Sequence, residues 1–142
     1  MNEYRRYTNK GLMVLVITKD ARIVLQHRDD KEGVSHRNMI SLFGGAHENE
    51  DMSFINTVKR EIQEELSVTV LDKNIEEFMT IENKQQSKVR KIFIARNVEE
   101  KDIILCEGQG LVFLKEEKDI AHIPNLESKS RVVLEDYFRY YS

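Results

Sequence analysis

The sequence is poor in the residues that define several classes of protein. It contains one cysteine, one proline and six glycines in 142 residues. A single cysteine excludes an intramolecular disulfide and gives no sign of an oxidising compartment, so we expect Cys106 to be a small buried hydrophobic residue. With 40% hydrophobic and 33% charged residues, the composition is that of a globular protein and not of a disordered chain or a repeat fibre. The length predicts one domain over residues 1–142.

The sequence also lacks features of membrane and nucleic-acid-binding proteins. The apolar run Leu12–Ile17 is far too short to span a bilayer, and Lys19 and Asp20 follow it where a signal peptide would have small residues. The formal net charge of −3 provides no positive field to hold a nucleic-acid polymer. We therefore expect a cytoplasmic monomer or homodimer without a membrane or nucleic-acid-polymer partner. A polyphosphate ligand would have to be held locally, by a few cationic side chains and a divalent cation.

The order of apolar segments predicts a fold of the α/β class, α+β in type. Two apolar segments rich in β-branched residues form a predicted hairpin, and a glycine pair, Gly44 and Gly45, follows a third segment and permits an unusual backbone path. Helical spacing of apolar residues predicts two helices. Because strands outnumber helices, we expect a mixed β-sheet sandwiched between α-helices. The predicted strands are 11–17, 22–27, 39–43, 78–81, 91–95 and 111–114, and the predicted helices are 53–66 and 127–141.

Three glutamates share one surface of the first predicted helix. Glu61 and Glu65 are one turn apart, and Glu64 is three residues from Glu61. Around the helix axis, Glu65 falls at about the angle of Phe54, inside the apolar stripe. At least one of these acids is therefore directed toward the protein interior.

This arrangement is unfavourable in an isolated helix, because the like charges repel and acids near the end oppose the helix dipole. Arg60 can neutralise one carboxylate, whereas a divalent cation can neutralise several. A solvated, charged helix face is the simpler explanation. The context favours a metal site, because a glycine pair and the acidic residues Glu48, Glu50 and Asp51 precede the helix and can supply further oxygen ligands for Mg²⁺ or Mn²⁺.

These residues resemble the signature box of the Nudix hydrolases. The family pattern is Gly, five residues, Glu, seven residues, Arg-Glu, an aliphatic residue, any residue, Glu-Glu, any residue, Gly and an aliphatic residue. Gly45 and the run Arg60-Glu-Ile-Gln-Glu-Glu65 match it. Asp51 stands where the family has Glu, eight residues separate it from Arg60, and Ser67 replaces the glycine. The role of Asp51 stays open at this point, and the extra residue is expected in the approach to the helix, between Met52 and Asn56.

The resemblance implies a Nudix fold and metal-dependent hydrolysis of a phosphoanhydride in a nucleoside triphosphate or another nucleoside diphosphate derivative. By the same resemblance, Glu61 and Glu65 would bind the principal metal, Mg²⁺ or Mn²⁺. Glu64 would bind a second metal or help to activate water, and Arg60 would orient the carboxylates. The main-chain carbonyl of Gly45 is a further candidate ligand.

Other charged residues are candidates for supporting roles. The family often takes its general base from a later loop, and Glu107 is the candidate here, although an exposed turn acid would look the same. Arg28 and Arg37 are candidates for binding substrate phosphate. The four histidines lack metal-ligand spacing, so we expect structural or surface roles for them.

Two other functions compete with hydrolysis. The first is a catalytically weak or inactive Nudix-fold module that binds a nucleotide or nucleotide sugar. The altered spacing between Asp51 and Arg60 in the signature box is the reason to consider it. The second is an interaction domain whose acidic helix is only a solvated surface. Three self-repelling acids argue against the first, and saturable binding of Mg²⁺ or Mn²⁺ would exclude the second.

Overall fold

The computed structural model describes residues 7–141. Within them the chain forms a seven-stranded mixed sheet and two α-helices, which confirms the expected α+β architecture. The strands are β1 (Asn9–Thr18), β2 (Ile23–His27), β3 (Ile40–Ser41), β4 (Phe43–Ala46), β5 (Ile75–Asn83), β6 (Lys88–Val98) and β7 (Gly110–Leu114), and the helices are α1 (Phe54–Leu66) and α2 (Ser128–Tyr141).

Strand β1 lies at the centre of the sheet and has two neighbours on one side. It pairs in parallel with β6 on its other side, along most of its length. On the first side, β4 pairs with residues 11–14 of β1, and β2 pairs with residues 16 and 17. The sheet therefore forks at the middle of β1, with β4 on one branch and β2 and its neighbour β7 on the other.

Two apolar clusters, one on each face of the sheet, place the helices. Val58, Ile62 and Leu66 of α1 pack in the cluster that contains Leu12 and Phe93. Val133 and Leu134 of α2 pack in the other cluster, with Leu15 and Ile92. Alternate residues of β1 and β6 contribute apolar side chains to the two clusters, so each face of the sheet packs against one helix.

The ends of α1 are set by local interactions. The Ser53 hydroxyl accepts a hydrogen bond from the main-chain N–H of Asn56 at 3.1 Å and caps the start. At the other end, Ser67 has the left-handed conformation with φ 58°, and its N–H donates to the Gln63 carbonyl. Ser67 thus adopts the backbone conformation for which glycine is the usual residue.

Two local expectations from the sequence are wrong. Cys106 is exposed, because it lies in a loop after β6 and not in an apolar element. The glycines Gly44 and Gly45 do not have positive φ, so they are not required for an unusual backbone path. Strands β5 and β6 also extend further into the polar segment between them than the sequence predicted.

No helix in residues 7–141 has both the length and the apolar character needed to cross a bilayer.

Candidate metal and phosphate site

The three helix glutamates lie in different environments. Glu61 and Glu65 are buried, with exposed fractions of 8% and 5%, whereas Glu64 is exposed. The inward direction expected for Glu65 from the helical wheel is therefore confirmed. Among the described residues, no group donates a hydrogen bond to the buried Oε2 atom of Glu65. A buried carboxylate oxygen without a partner is costly, and a cation is one way to satisfy it.

Arg60 connects these acids to the loop before the helix. Its Nε and Nη2 atoms donate to Oδ1 and Oδ2 of Asp51, at 2.8 and 2.9 Å. Its Nη1 atom donates to Glu61 at 3.1 Å and, more weakly, to Glu64 at 3.4 Å. Nη2 also donates to the Ala46 carbonyl at 2.9 Å. Arg60 is thereby fixed by Asp51 on one side and holds Glu61 on the other.

The Asp51 carboxylate is held by two residues in addition to Arg60. Its Oδ2 atom accepts from the Glu48 N–H at 2.9 Å and from the Thr57 hydroxyl at 2.8 Å. The Thr57 hydroxyl has one proton, so the His47 ring must donate from Nδ1 to Thr57 Oγ1, 2.6 Å away. Burial lowers the pKa of His47, which favours the neutral ring. We therefore assign Asp51 an orienting role toward Arg60, and His47 a structural role.

An outward turn at Met52 gives room for one extra residue between Asp51 and Arg60. This residue has φ 67° and ψ −35°, and its side chain is 88% exposed. The Ser53 N–H donates to the Asp51 carbonyl at 2.8 Å, which closes a three-residue turn around Met52. Because Met52 is turned outward, Asp51 still reaches Arg60 despite the longer spacing.

Gly45 provides space for the Glu61 carboxylate. A Cβ atom added at Gly45 would overlap both Glu61 carboxylate oxygens. The His47 N–H donates to the Lys10 carbonyl, so Lys10 and His47 are a hydrogen-bonded pair of the antiparallel strands. Such pairs recur at every second residue, and Leu12 and Gly45 are therefore also a hydrogen-bonded pair. The Gly45 carbonyl is therefore directed at β1, and the Gly44 carbonyl is directed away from it.

Glu107 and Arg28 lie close enough to the helix acids to act on them electrostatically. The loop that carries Glu107 is attached to the end of α1, where the N–H of Cys106 donates to the Glu65 carbonyl at 2.9 Å. The Glu107 charge raises, and the Arg28 charge lowers, the pKa of Glu65. Arg28 is positioned by its Nε, which donates to the Ser35 carbonyl at 2.7 Å.

Arg37 lies apart from this group. Its guanidinium forms an exposed ion pair with Asp30 at 2.6 Å, within the loop between β2 and β3. Six of the candidate side chains therefore lie close together in the structure, and Arg37 is not among them. They are Arg28, Asp51, Arg60, Glu61, Glu65 and Glu107, with Glu64 at the exposed rim.

The two buried carboxyls bind protons more tightly than ordinary glutamates. Burial raises the pKa of Glu61 to about 7, an effect that Arg60 opposes. Burial raises the pKa of Glu65 to about 8, and the charges of Glu61 and Glu107 add to the increase. Ionising both groups at neutral pH therefore requires compensation by positive charge.

The donor atoms fit a hard divalent cation. Oxygen atoms of carboxylates and main-chain carbonyls are the ligands that Mg²⁺ and Mn²⁺ prefer, and the buried Oε2 atom of Glu65 lacks a donor among the described residues. Within residues 7–141, however, no three His, Cys, Asp or Glu side chains are gathered as a preformed metal site. Glu61 is turned toward Arg60 and Glu64 toward solvent, so binding would require these side chains to rotate.

A cleft of about 340 Å³ opens beside β4. Its charged lining residues are Arg28, Lys88, Arg90, Glu127 and Lys129. Sequence reasoning missed the last four. Lys88 and Arg90 are two residues apart on a strand, so their side chains lie on the same face. This pattern was not detected from the sequence because the predicted strand began at Lys91.

No family model matches this sequence, and no curated protein matches it. Solved structures do. A MutT protein from Methanosarcina mazei has a TM-score of 0.71 at 20% identity, over 93% of this chain and 94% of that one. The NUDIX domain of Shewanella oneidensis NrtR, in complex with ADP ribose, has a TM-score of 0.70 at 16% identity, over 94% and 88%.

A third similar structure belongs to a longer protein. A MutT/nudix family protein from Enterococcus faecalis has a TM-score of 0.62 at 20% identity, over 80% of this chain, which spans only 45% of that one. At these identities the likeness concerns the fold. The chain has the Nudix fold, a mixed seven-stranded sheet between two α-helices.

Proposed function

We propose that this Nudix-fold chain is a divalent-metal-dependent hydrolase that cleaves a phosphoanhydride bond in a nucleotide derivative. The observation that carries the proposal is the pair of buried carboxylates, Glu61 and Glu65, with an Oε2 atom of Glu65 that no described residue satisfies. A helix face that served only solubility would expose these acids.

The carboxylates of Glu61 and Glu65 would hold the cation, with Glu64 as a further ligand for this or a second cation. The geometry of β4 favours the Gly44 carbonyl over the Gly45 carbonyl as the main-chain ligand, because the Gly45 carbonyl is directed at β1. Gly45 contributes space for Glu61. Mg²⁺ or Mn²⁺ would supply positive charge on the phosphoryl oxygens and lower the pKa of a bound water.

The chain itself positions the acids and moves the proton. Arg60, fixed by Asp51, binds Glu61 in the metal-free protein, and Glu61 would rotate from there toward the cation. A water oxygen forms the new bond to phosphorus, Glu107 accepts the proton of that water, and the bridging oxygen leaves on the departing phosphate. Arg28 would bind a phosphate oxygen at the mouth of the cleft. Arg37 has weaker support for this role, because its charge is shared with Asp30.

A nucleotide derivative is the substrate class that the fold and cleft support. The Shewanella NUDIX domain binds ADP ribose, which contains a diphosphate between two sugars. The cleft beside β4 has room for part of such a molecule and carries four cations against one acid. Few positive side chains elsewhere are needed if a cation neutralises the diphosphate.

The altered spacing of the box was the reason to consider an alternative function, a module that binds a nucleotide without hydrolysing it. The intact Asp51–Arg60 ion pair, next to the outward turn at Met52, supports the hydrolase over that module.

The test is a substrate panel of nucleoside triphosphates, nucleoside diphosphate sugars, dinucleotides and dinucleoside polyphosphates, each with Mg²⁺ or Mn²⁺. We expect release of phosphate-containing products from at least one compound, and loss of turnover by orders of magnitude in Glu65→Gln and Glu64→Gln. Glu117→Gln, an exposed glutamate after β7, is the matched control and should retain full activity. Saturable nucleotide binding without any product would favour the binding module. Full activity in both site variants would remove the carboxylates from the mechanism.

A further inference from the structure

Three cations are crowded at one end of the cleft beside β4. Lys88 and Arg90 lie on the same face of β6, and Lys129 is in the first turn of α2. The charge of Lys129, followed by that of Arg90, lowers the pKa of Lys88. In residues 7–141, no acidic side chain forms a salt bridge with any of the three. Repulsion between like charges raises the free energy of the folded protein. A bound anion would relieve this repulsion, so the cluster is the expected arrangement for an anion-binding site.

Arg90 is held in place by the main chain. Its Nη1 atom donates to the Val89 carbonyl at 2.9 Å and to the Asn9 carbonyl at 3.4 Å. A Cβ atom added at Gly11 would lie 3.2 Å from the guanidinium carbon, so the absence of a side chain there makes room for it. Burial lowers the pKa of Arg90. The guanidinium is therefore a positioned group and not a mobile surface charge.

The one acid in the cleft does not neutralise these cations. Glu127 is 4% exposed, and its Oε1 atom accepts from the N–H and hydroxyl of Ser130 at 2.9 and 2.8 Å. Its Oε2 atom accepts from the Lys129 N–H at 2.8 Å. The carboxylate thus caps α2 and interacts with its main chain.

The cations and the helix acids lie on opposite faces of the sheet, near β4. Glu61 contacts β4 at Gly45, and the next residue, Ala46, pairs with Gly11, which in turn pairs with Arg90. Two strand spacings separate the Cα atoms of Ala46 and Arg90, about 10 Å. Lys88 and Arg90 share the α2 face of β6 with Ile92, whereas Glu61 lies on the α1 face. A ligand with its diphosphate at the acids would therefore reach the cations through the cleft, which is lined both by Gly45 and by the three cations.

We propose that Lys88, Arg90 and Lys129 form a second anion-binding site, which binds a phosphate group of the substrate other than the diphosphate that is cut. The identification of the ligand as a substrate rests on the proposed function, but anion binding by the three residues does not. That phosphate belongs either to a ribose of the nucleotide or to the far end of a longer polyphosphate chain.

The first experiment measures binding without metal, so that nothing is hydrolysed. NADP⁺ and NAD⁺ differ by one ribose phosphate, and diadenosine hexaphosphate and triphosphate differ in chain length. We expect the protein to bind the more phosphorylated member of at least one pair about tenfold more tightly, equivalent to about 1.4 kcal/mol. In the double variant Lys88→Gln, Lys129→Gln the ratio should fall to about one. Lys84→Gln, an exposed lysine before β6, is the matched control and should keep the preference.

The second experiment uses inorganic phosphate and thermal unfolding. Phosphate should raise the Tm of the wild type more than that of the double variant, because it binds the folded site. Without phosphate, the double variant should be at least as stable as the wild type, since it removes repulsion. If the double variant folds poorly, Lys129→Gln alone, which changes an exposed side chain, should show a smaller loss of preference in the same direction.

The outcomes separate this inference from the proposed function. Hydrolysis of a panel compound, with equal binding of both members of each pair, overturns the second anion site and leaves the hydrolase proposal intact. A preference that is lost in the double variant supports the anion site even if no compound is hydrolysed. An equal preference in the wild type and the double variant also overturns it, because the discrimination then lies elsewhere.

Discussion

The guanidinium of Arg60 and the carboxylate of Asp51 form a two-point ion pair, with Nε–Oδ1 and Nη2–Oδ2 distances of 2.8 and 2.9 Å. Asp51 is 8% exposed, and Arg60 also holds Glu61 and the Ala46 carbonyl. The pair therefore fixes the loop before α1 to the helix and sets the orientation of a candidate metal ligand.

Removing the charge of Asp51 should destabilise the protein and weaken the metal site. Asp51→Asn leaves a half-buried guanidinium without its partner, and we expect a loss of about 3 kcal/mol of unfolding free energy. Chemical denaturation measures it. Asp30→Asn, which breaks the exposed pair with Arg37, is the control and should cost less than about 1 kcal/mol. Equal effects of the two substitutions would contradict the role assigned to Asp51.

The same ion pair predicts a loss of stability in acid. The Arg60 guanidinium holds the pKa of Asp51 well below its usual value of 3.8. A depressed pKa in the folded state stabilises the protein fully above the unfolded value, and this contribution is lost as the pH falls through the folded pKa. Unfolding of the wild type and Asp51→Asn should therefore converge at low pH. A constant difference between them down to strong acid would be inconsistent with this linkage.

Glu65 should make the metal-free protein less stable as the pH rises. Its pKa is raised from 4.5 to about 8, so folding favours the protonated form, and the unfolding free energy falls between these pH values. Glu65→Gln should raise the stability of the metal-free protein at pH above about 8, by more than about 1 kcal/mol. It should also abolish stabilisation by Mn²⁺, whereas wild-type affinity for Mn²⁺ should increase with pH because binding releases protons. Proton release can be measured by titration calorimetry in buffers of different ionisation enthalpy.

A methyl group at Gly45 should displace the Glu61 carboxylate. Gly45→Ala places its Cβ atom on the two Glu61 oxygens, whereas Gly110→Ala meets no atom within 4 Å. We expect Gly45→Ala to weaken Mn²⁺ binding by at least about tenfold, equivalent to about 1.4 kcal/mol, with the circular dichroism spectrum retained. Gly110→Ala should bind Mn²⁺ like the wild type. Unchanged binding in Gly45→Ala would exclude Glu61 as a ligand.

Ser67→Gly should stabilise the protein without changing the site. Ser67 has φ 58° at the end of α1, a conformation that glycine adopts at lower cost. After allowing for the greater flexibility of glycine in the unfolded chain, we expect a gain of about 0.5 kcal/mol. Ser67→Ala keeps the steric cost and should give no gain. The midpoint of thermal unfolding measures both, and a lower midpoint for Ser67→Gly would count against this explanation.

Local patterns in the sequence were sufficient for most of the elements, but not for β4, which contains the glycine pair that was expected to leave the strand. The period of apolar residues predicted α1 within one residue, and the same wheel placed Glu65 inward, because both depend only on helix geometry. The resemblance to the Nudix box proposed Arg60 and the three glutamates as site residues, and its implied fold is confirmed.

The remaining features depend on contacts between distant segments. The role of Asp51 required the backbone of Met52, since only an outward turn lets a box with one extra residue keep its ion pair. The cation cluster requires β6 and α2, whose relevant residues are about 40 positions apart in sequence, to meet at one cleft. Cys106 was misplaced because the position of its loop is set by the end of α1 and not by its own composition.

Two main-chain hydrogen bonds attach the Glu107 loop to α1. The N–H groups of Ile104 and Cys106 donate to the carbonyls of Leu66 and Glu65, both at 2.9 Å, at the helix end where carbonyls otherwise lack partners. Side chains in this loop can therefore be exchanged without moving the loop away from the helix. In protein engineering, this makes residues 104–107 a place to vary the proposed general base, or to install a different reactive group, while the distance to the metal ligands stays the same.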